Sequence, residues 1–340
     1  MYCCDGTDVM VSVIITAYNH EKYIEQTLNG VAKQKVNFNY EIIIHDDASP
    51  DNTQAIIKRF IAEHPSLTFL PVYQTVNQFS HGGGIGFKYI YPLVKGKYMI
   101  TCEGDDYWID ENKLQTQVDF LEAHPEYVGT GHNCIFVDDD SKEYDKVPYN
   151  NYGPYIEHSF SLDRMAFGRI PGQTATLLYR SEVFFNAIES HLDDYRLLRT
   201  NGDIKRNFEL LMHGDIYFMK EKMSAYRVVL DRGTSWSAKN YNSKERLIKS
   251  FISSRELRMY AKKCYDYHFR NYYQSFSLLN IALKKALKGD SSDKEILSRL
   301  KKECPEHIPF LVYYVGLGLV SVPAFIQFRR TRKRYILNEN

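Results

Sequence analysis

Short apolar runs and amphipathic stretches alternate along the first third of the chain. Met10 to Thr16 is a short apolar run of the kind buried in a parallel strand. Ala17-Tyr18-Asn19-His20 follows, then Ile24, Leu28, Val31 and Ala32 repeat on one helical face. Asn19 is the expected N-cap of that helix, with Glu21 in the favourable first turn. Tyr40 to His45 predicts a second strand, and Ser49-Pro50 predicts a cap followed by proline at the first helical position. Ile56, Ile57, Phe60 and Ile61 supply the next apolar face. Leu67 to Val72 predicts a third strand, Phe87 to Val94 a third helix and Lys97 to Cys102 a fourth strand. Leu114, Val118 and Leu121 mark a further helix that stops before Pro125.

Strands alternating with helices predict an α/β fold of right-handed βαβ units around a mostly parallel sheet flanked by helices. In such sheets ligands sit beyond the carboxyl ends of the strands. The residues just past the first, second and fourth strands are Thr16-Ala17-Tyr18-Asn19, Asp46-Asp47 and Glu103-Gly104-Asp105-Asp106. All three groups are therefore expected on one edge of the sheet.

Composition narrows the classes. The chain has 340 residues and a net charge of +1, which gives no global attraction to nucleic acid. Its six cysteines are scattered without zinc-site spacing or a disulfide framework, which suits a reducing, cytoplasmic setting. No basic segment followed by an apolar one marks a signal peptide at the start. No G-x-G-x-x-G follows the first strand, and Tyr91 stands where a P-loop ending at Gly96-Lys97 needs its first glycine. A dinucleotide-dependent dehydrogenase or P-loop NTPase is thereby disfavoured. The cluster Gly82-Gly83-Gly84-Ile85-Gly86 reads as a loop.

Cys102-Glu103-Gly104-Asp105-Asp106-Tyr107-Trp108 carries the most chemistry. A strand that delivers clustered carboxylates at its end suits a hard divalent cation, Mn²⁺ or Mg²⁺, with phosphate oxygens completing the shell. An acidic turn with Asp105 or Asp106 capping the next helix is the plainer alternative.

Four pieces together resemble family 2 glycosyltransferases of the GT-A fold, of the kind that build bacterial surface glycans. They are Val11-Ser12-Val13-Ile14-Ile15-Thr16-Ala17-Tyr18-Asn19, Ile44-His45-Asp46-Asp47-Ala48-Ser49-Pro50-Asp51-Asn52-Thr53, Gly96-Lys97-Tyr98 through Trp108, and Asn201-Gly202-Asp203-Ile204. The resemblance runs over roughly residues 9–236. It implies that Thr16, Tyr18 and Asn19 cradle a donor nucleotide, and that Asp46 and Asp47 contact uracil and ribose. Glu103-Gly104-Asp105 falls on the family's D-x-D motif, with Asp105 as metal ligand and Glu103, in place of the usual aspartate, toward ribose or metal-bound water. Asp203 is the implied catalytic base, although an aspartate opening a helix is also an ordinary cap. The activity implied is inverting transfer of a sugar from a nucleotide donor, UDP-linked, to a hydroxyl of a glycan or lipid-linked acceptor, assisted by Mn²⁺ or Mg²⁺. A sugar nucleotidyltransferase and a nucleotide-sugar-binding protein are the alternatives; the first normally shows a glycine-rich basic signature that is absent here.

Weaker candidates remain. His132-Asn133 reads as a strand-end or core pair, and Gln173-Thr174 precedes an expected strand, Ala175 to Tyr179, near an acceptor pocket. Tyr226-Arg227 with Gly233-Thr234-Ser235-Trp236-Ser237 is similar to the family segment that closes over the diphosphate, though Val228-Val229-Leu230-Asp231 lacks the usual histidine. Asp138-Asp139-Asp140 reads as a solvated turn.

The expected organisation is a catalytic domain over 1–240, a helical extension over 241–305 and a tail over 306–340. Lys244 to Leu287 has helical apolar spacing. Ile308 to Ile326 is strongly apolar and is followed by Arg329, Arg330, Arg332, Lys333 and Arg334. Residues 308–334 are thus expected to lie on or in the membrane surface, the basic cluster against anionic lipid. The enzyme would be cytoplasmic and peripheral on the inner face of the cytoplasmic membrane; a buried terminal helix hairpin is the alternative for the apolar stretch.

Overall fold

The protein is described by a computed structural model covering residues 8–82, 84–144, 158–162, 165, 171–200, 202–229 and 244–268. Contacts divide the chain into two compact units, Met1–Lys239 and Asn240–Asn340. The expected apolar tail, Gly233 to Ser237 and Asp231 fall outside the described residues.

The first unit is built on β1 (Val9–Ala17), β2 (Asn39–Asp46), β3 (Thr68–Tyr73) and β4 (Tyr98–Glu103), all mutually parallel in the order β3-β2-β1-β4. β1 lies inside this set, and Val11, Val13, Ile14 and Ile15 are buried. That burial on both faces explains its nearly uninterrupted apolar run. Beyond β4 the sheet turns mixed: β8 (Leu178–Arg180) is antiparallel to β4 and β6 (Tyr127–Val137), while β9 (Asp215–Arg227) runs parallel to β6. Two short strands, β5 (Tyr107–Trp108) and β7 (His158–Phe160), pair antiparallel to β9.

Helices α1 (Ile24–Ala32), α2 (Thr53–Glu63), α3 (Lys113–Ala123), α4 (Ser181–Glu189), α5 (Leu192–Leu197) and α6 (Gly202–His213) belong to this unit. One core joins Ile24, Leu28 and Val31 of α1 to Val11, Val13 and Ile15 of β1 and to Leu114, Val118 and Leu121 of α3. Gly30 is required there, because a Cβ would lie 2.8 Å from the main-chain oxygen of Trp108.

Several local expectations change. Asn19 is no cap: α1 starts at Ile24, and Asn19 sits at φ 60° with its N–H donated to Ser49 Oγ at 3.0 Å. Ser49-Pro50 does not open α2, which starts at Thr53, because the Ser49 hydroxyl donates to the Asp46 carboxylate instead. The third helix is a π-helical turn, Gly86–Ile90, followed by a 3₁₀ turn, Tyr91–Leu93. The strand expected over 175–179 is a 3₁₀ turn, Thr174–Thr176, leading into β8.

In the second unit, α7 (Lys244–Tyr265) fills the first half of the expected helical stretch. Asp266 ends it in a left-handed conformation at φ 50°. No helix among the described residues is long and apolar enough to cross a membrane.

Candidate active site

The parallel register sets the site. Thr16 lies opposite Glu103 across β1 and β4, and Ala17 lies opposite Asp46 across β1 and β2. The strand ends are stitched beyond the ladder, with Asp47 N–H donating to Ala17 O at 3.0 Å and Gly104 N–H to Thr16 O at 2.9 Å. The three segments singled out beyond the strand ends thus meet on one edge.

The loop after β1 is fastened to the loop after β2. His20 N–H donates to Thr53 Oγ1 at 2.8 Å, Glu21 N–H to Asp51 Oδ2 at 3.0 Å and Asn52 N–H to Glu21 Oε2 at 2.9 Å. Tyr18 is left 46% exposed between them, available to a ligand.

Asp46 and Asp47 are buried, and the chain's own donors already meet their oxygens. Asp46 accepts from the Ser49 hydroxyl and from Gln54 Nε2 at 3.2 Å. Asp47 accepts Gln78 N–H at 2.8 Å and Phe79 N–H at 2.9 Å. Both brace the loops bordering the cleft; Asp46 Oδ2 accepts both Gln54 Nε2 and the Ser49 N–H at 3.3 Å, while Asp46 Oδ1 and the two Asp47 oxygens each keep a second lone pair. An open polar groove of about 420 Å³ lies beside Asp46, lined by Ser49, Gln54, Lys58, Gln74 and Thr75. It contains none of Glu103, Asp105 or Asp203.

The acidic motif is held from below by α1. Thr27 Oγ1 donates to the carbonyls of Gly104 at 3.0 Å and Asp106 at 2.6 Å. Gly104 must be glycine, since a Cβ would stand 2.7 Å from His20 Nδ1 and 3.1 Å from Thr16 O. Water reaches Glu103, yet protein atoms crowd around it as on the floor of a recess. That crowding, then the Asp105 and Asp203 carboxylates, pushes its carboxyl up to about 8, with the Arg206 guanidinium opposing. Asp203, half-buried in the first turn of α6, thus shares one electrostatic field with a motif a hundred residues away in sequence.

The Asp105 carboxylate is partly exposed, with Oδ2 4.0 Å from His20 Nε2. Asp106 faces the other way and caps no helix. It is buried, accepting Arg227 N–H at 2.9 Å on Oδ1 and the Gln173 amide on Oδ2. Burial and the Asp105 and Glu103 charges raise its carboxyl well above the usual range, against those two donors. Gln173 is therefore a support for the motif.

Arg227 also differs from expectation. It is buried, and its guanidinium donates to Asp105 O, Asp138 O, Asp139 O, Gln26 Oε1 and Ser141 Oγ. It ties the motif to α1 and to the turn after β6 rather than facing a diphosphate. That turn is more than solvated: Asp139 pairs with Lys22 and takes the Tyr23 hydroxyl. His132 is a core histidine, buried, with Nδ1 2.7 Å from Asn133 O. Thr27, Gln173 and Arg227 were invisible as supports because their partners lie 67 to 122 residues away.

No group of three or more His, Cys, Asp or Glu side chains able to hold a metal occurs among the described residues. A cation here would take one or two protein ligands and complete its shell with phosphate oxygens and water, the usual arrangement for Mg²⁺ at nucleotide sites. The mutual field of Glu103, Asp105 and Asp203 suits a positive charge at this point. The residues therefore fit the group.

The family model Glycosyl transferase family 2 matches residues 12–179, from β1 through β8. An uncharacterized protein of Mycobacterium tuberculosis is 31% identical over 220 residues, 64% of this chain and 58% of its own length. The UDP-Glc:alpha-D-GlcNAc-diphosphoundecaprenol beta-1,3-glucosyltransferase WfaP of Escherichia coli is 28% identical over 152 residues, 44% of this chain and 56% of its own. The chain thus spans less than two thirds of the length of either relative. The crystal structure of S. aureus TarS 1-349 with UDP-GlcNAc superposes with a TM-score of 0.59 at 18% identity, covering 86% of this chain and 80% of that one. It shares the GT-A architecture of a large curled sheet flanked by helices. The matched span and the order of its strands and carboxylates identify residues 12–179 as a glycosyl transferase family 2 domain.

Proposed function

We propose that the chain is an inverting glycosyltransferase that moves a sugar from a UDP-linked donor to a hydroxyl of a glycan or lipid-linked acceptor in surface-glycan synthesis. The observation that carries this reading is the register that sets Thr16 opposite Glu103 and Ala17 opposite Asp46 at the carboxyl edge of the sheet, with the Asp105 and Asp203 charges acting on Glu103. WfaP, by its name, uses UDP-Glc and a diphosphoundecaprenol-linked acceptor, which supports the substrate class without fixing the sugar.

In this reading Thr16, Tyr18 and Asn19 hold the nucleoside, with Asp46 and Asp47 shaping and lining its edge. Glu103 stands toward the ribose. Asp105 holds Mn²⁺ or Mg²⁺, which when bound neutralises charge on the departing diphosphate as a Lewis acid. Asp203 accepts the proton of the attacking hydroxyl. Attack comes from the face opposite the leaving group, so the anomeric centre inverts and no covalent enzyme intermediate forms. The segment 308–334 would keep the enzyme on the cytoplasmic membrane surface near a lipid-linked acceptor.

The test is a panel of UDP-sugars assayed for UDP release with Mn²⁺, with Mg²⁺ and with chelator. Metal-dependent release from at least one donor, lost in Asp105→Asn, supports the reading. Failure of all donors, or release that ignores the chelator, overturns it.

A further inference from the structure

His20 is fixed at three backbone points. Its N–H donates to Thr53 Oγ1 at 2.8 Å, and its carbonyl accepts the N–H groups of Tyr23 and Ile24 at 2.9 Å each. The Tyr23 ring stands edge-on to the imidazole at 6.5 Å between centroids. Gly104, lacking a side chain, leaves room for Nδ1. The ring is thus placed with care, yet Nδ1 is buried without a hydrogen-bond partner among the described residues. Nε2 lies 4.0 Å from the Asp105 carboxylate. A histidine kept for packing normally satisfies at least one ring nitrogen.

The separation is informative. At 4.0 Å the two atoms are too far apart for a hydrogen bond. Two ligands at about 2.1 Å from one cation stand about 3.0 Å apart when adjacent and about 4.2 Å apart when opposite, so 4.0 Å lies within the span that a cation can bridge. The two side chains are 21% and 32% exposed, so solvent and solutes reach both. Imidazole suits transition metals, whereas Mg²⁺ favours oxygen.

We infer that His20 Nε2 and Asp105 Oδ2 hold the divalent cation together, a mixed imidazole–carboxylate pair that selects Mn²⁺ over Mg²⁺. This rests on the metal reading above. Two protein ligands leave the remaining positions to the donor diphosphate and water.

Pulsed electron paramagnetic resonance of the full-length protein with Mn²⁺ and UDP reads the ligand directly. The expected result is a ¹⁴N coupling of imidazole size that disappears in His20→Gln. Calorimetry of the same samples should show Mn²⁺ affinity in that variant falling roughly tenfold or more while Mg²⁺ affinity changes less. A circular dichroism melt matching the parent keeps His20→Gln interpretable, and His20→Asn serves if it does not. Mn²⁺ bound without nitrogen coupling, or coupling that survives in His20→Gln, overturns the inference while leaving the metal at Asp105. Weaker UDP binding in metal-free His20→Gln would make His20 a phosphate contact instead and equally overturn it. No Mn²⁺ binding at all overturns both this inference and the metal reading.

Discussion

Arg227 Nε donates to the main-chain oxygen of Asp105 at 2.9 Å. The same guanidinium reaches the carbonyls of Asp138 and Asp139, the Gln26 amide and the Ser141 hydroxyl, and lies 4.4 Å from the Tyr23 ring centroid. One buried side chain at the end of β9 thus sets the backbone that aims the Asp105 carboxylate.

A lysine cannot replace this fork, because one ammonium on a flexible stem cannot meet five acceptors spread around a plane. Arg227→Lys should cost about 2–4 kcal/mol, since buried carbonyls lose their donors. Urea unfolding of the two proteins measures it. A variant as stable as the parent would show that the clamp contributes nothing to the fold.

Asp203 separates base from cap. As base, Asp203→Asn should lower transfer by roughly 10²–10⁴-fold and leave UDP binding nearly unchanged. Its half-buried place in the first turn of α6 makes a loss of no more than about 1 kcal/mol the expected stability effect. Steady-state transfer rates beside UDP calorimetry check both. Transfer at the parent rate would leave Asp203 as a helix-end residue only.

The parallel half of the fold was legible because burial on both faces writes itself into β1, β2 and β4 as apolar runs. The meeting of Thr16, Asp46 and Glu103 followed from that topology alone. Helix starts were less legible. Asn19 and Ser49 are good capping residues, but the Asn19 N–H goes to Ser49 Oγ and the Ser49 hydroxyl to Asp46 across two loops, which local pattern cannot show. The direction of Asp106 was hidden for the same reason. Its partners Gln173 and Arg227 come from distant elements, and three adjacent acidic positions look alike until the fold turns one inward.

Two buried histidines should make the fold sensitive to mild acid. Burial lowers His45 below the ordinary 6.5, opposed by the Asp47 and Asp46 charges. Burial, then the Lys113 charge, lowers His132 well below 6.5. The unfolded chain therefore takes up protons first as pH falls. The stability contribution is complete above about pH 6.5 and declines below it, by up to about 1.4 kcal/mol per pH unit for each histidine. Glu103 and Asp106, whose carboxyls are raised in the fold, act with the opposite sign across this window, so the histidine effect is read as a difference: urea unfolding at pH 7.5, 6.5 and 5.5 should show the parent losing more stability with acid than His132→Gln. Equal pH dependence in the two proteins would mean that the His132 ring does not resist protonation.

The two adjacent aspartates should fail in opposite ways. Asp105 is partly open to the cleft, and its carboxylate has no hydrogen-bond partner among the described residues beyond the loose approach of His20. Asp105→Asn removes a negative charge from a crowded acidic field, so the fold should lose little, within about 0.5 kcal/mol, while Mn²⁺ binding collapses. Asp106 is buried between two N–H donors. Asparagine there must turn its own NH₂ toward one of them. The Gln173 amide cannot simply flip to accommodate it, because its Oε1 accepts Ala175 N–H at 2.8 Å. Asp106→Asn should therefore cost about 1–3 kcal/mol through an unmet donor while Mn²⁺ affinity in the folded fraction stays near the parent value. Urea unfolding and Mn²⁺ titration on both variants form one experiment. If Asp106→Asn loses metal at parent stability, or Asp105→Asn unfolds the protein, the roles given to these two carboxylates are reversed.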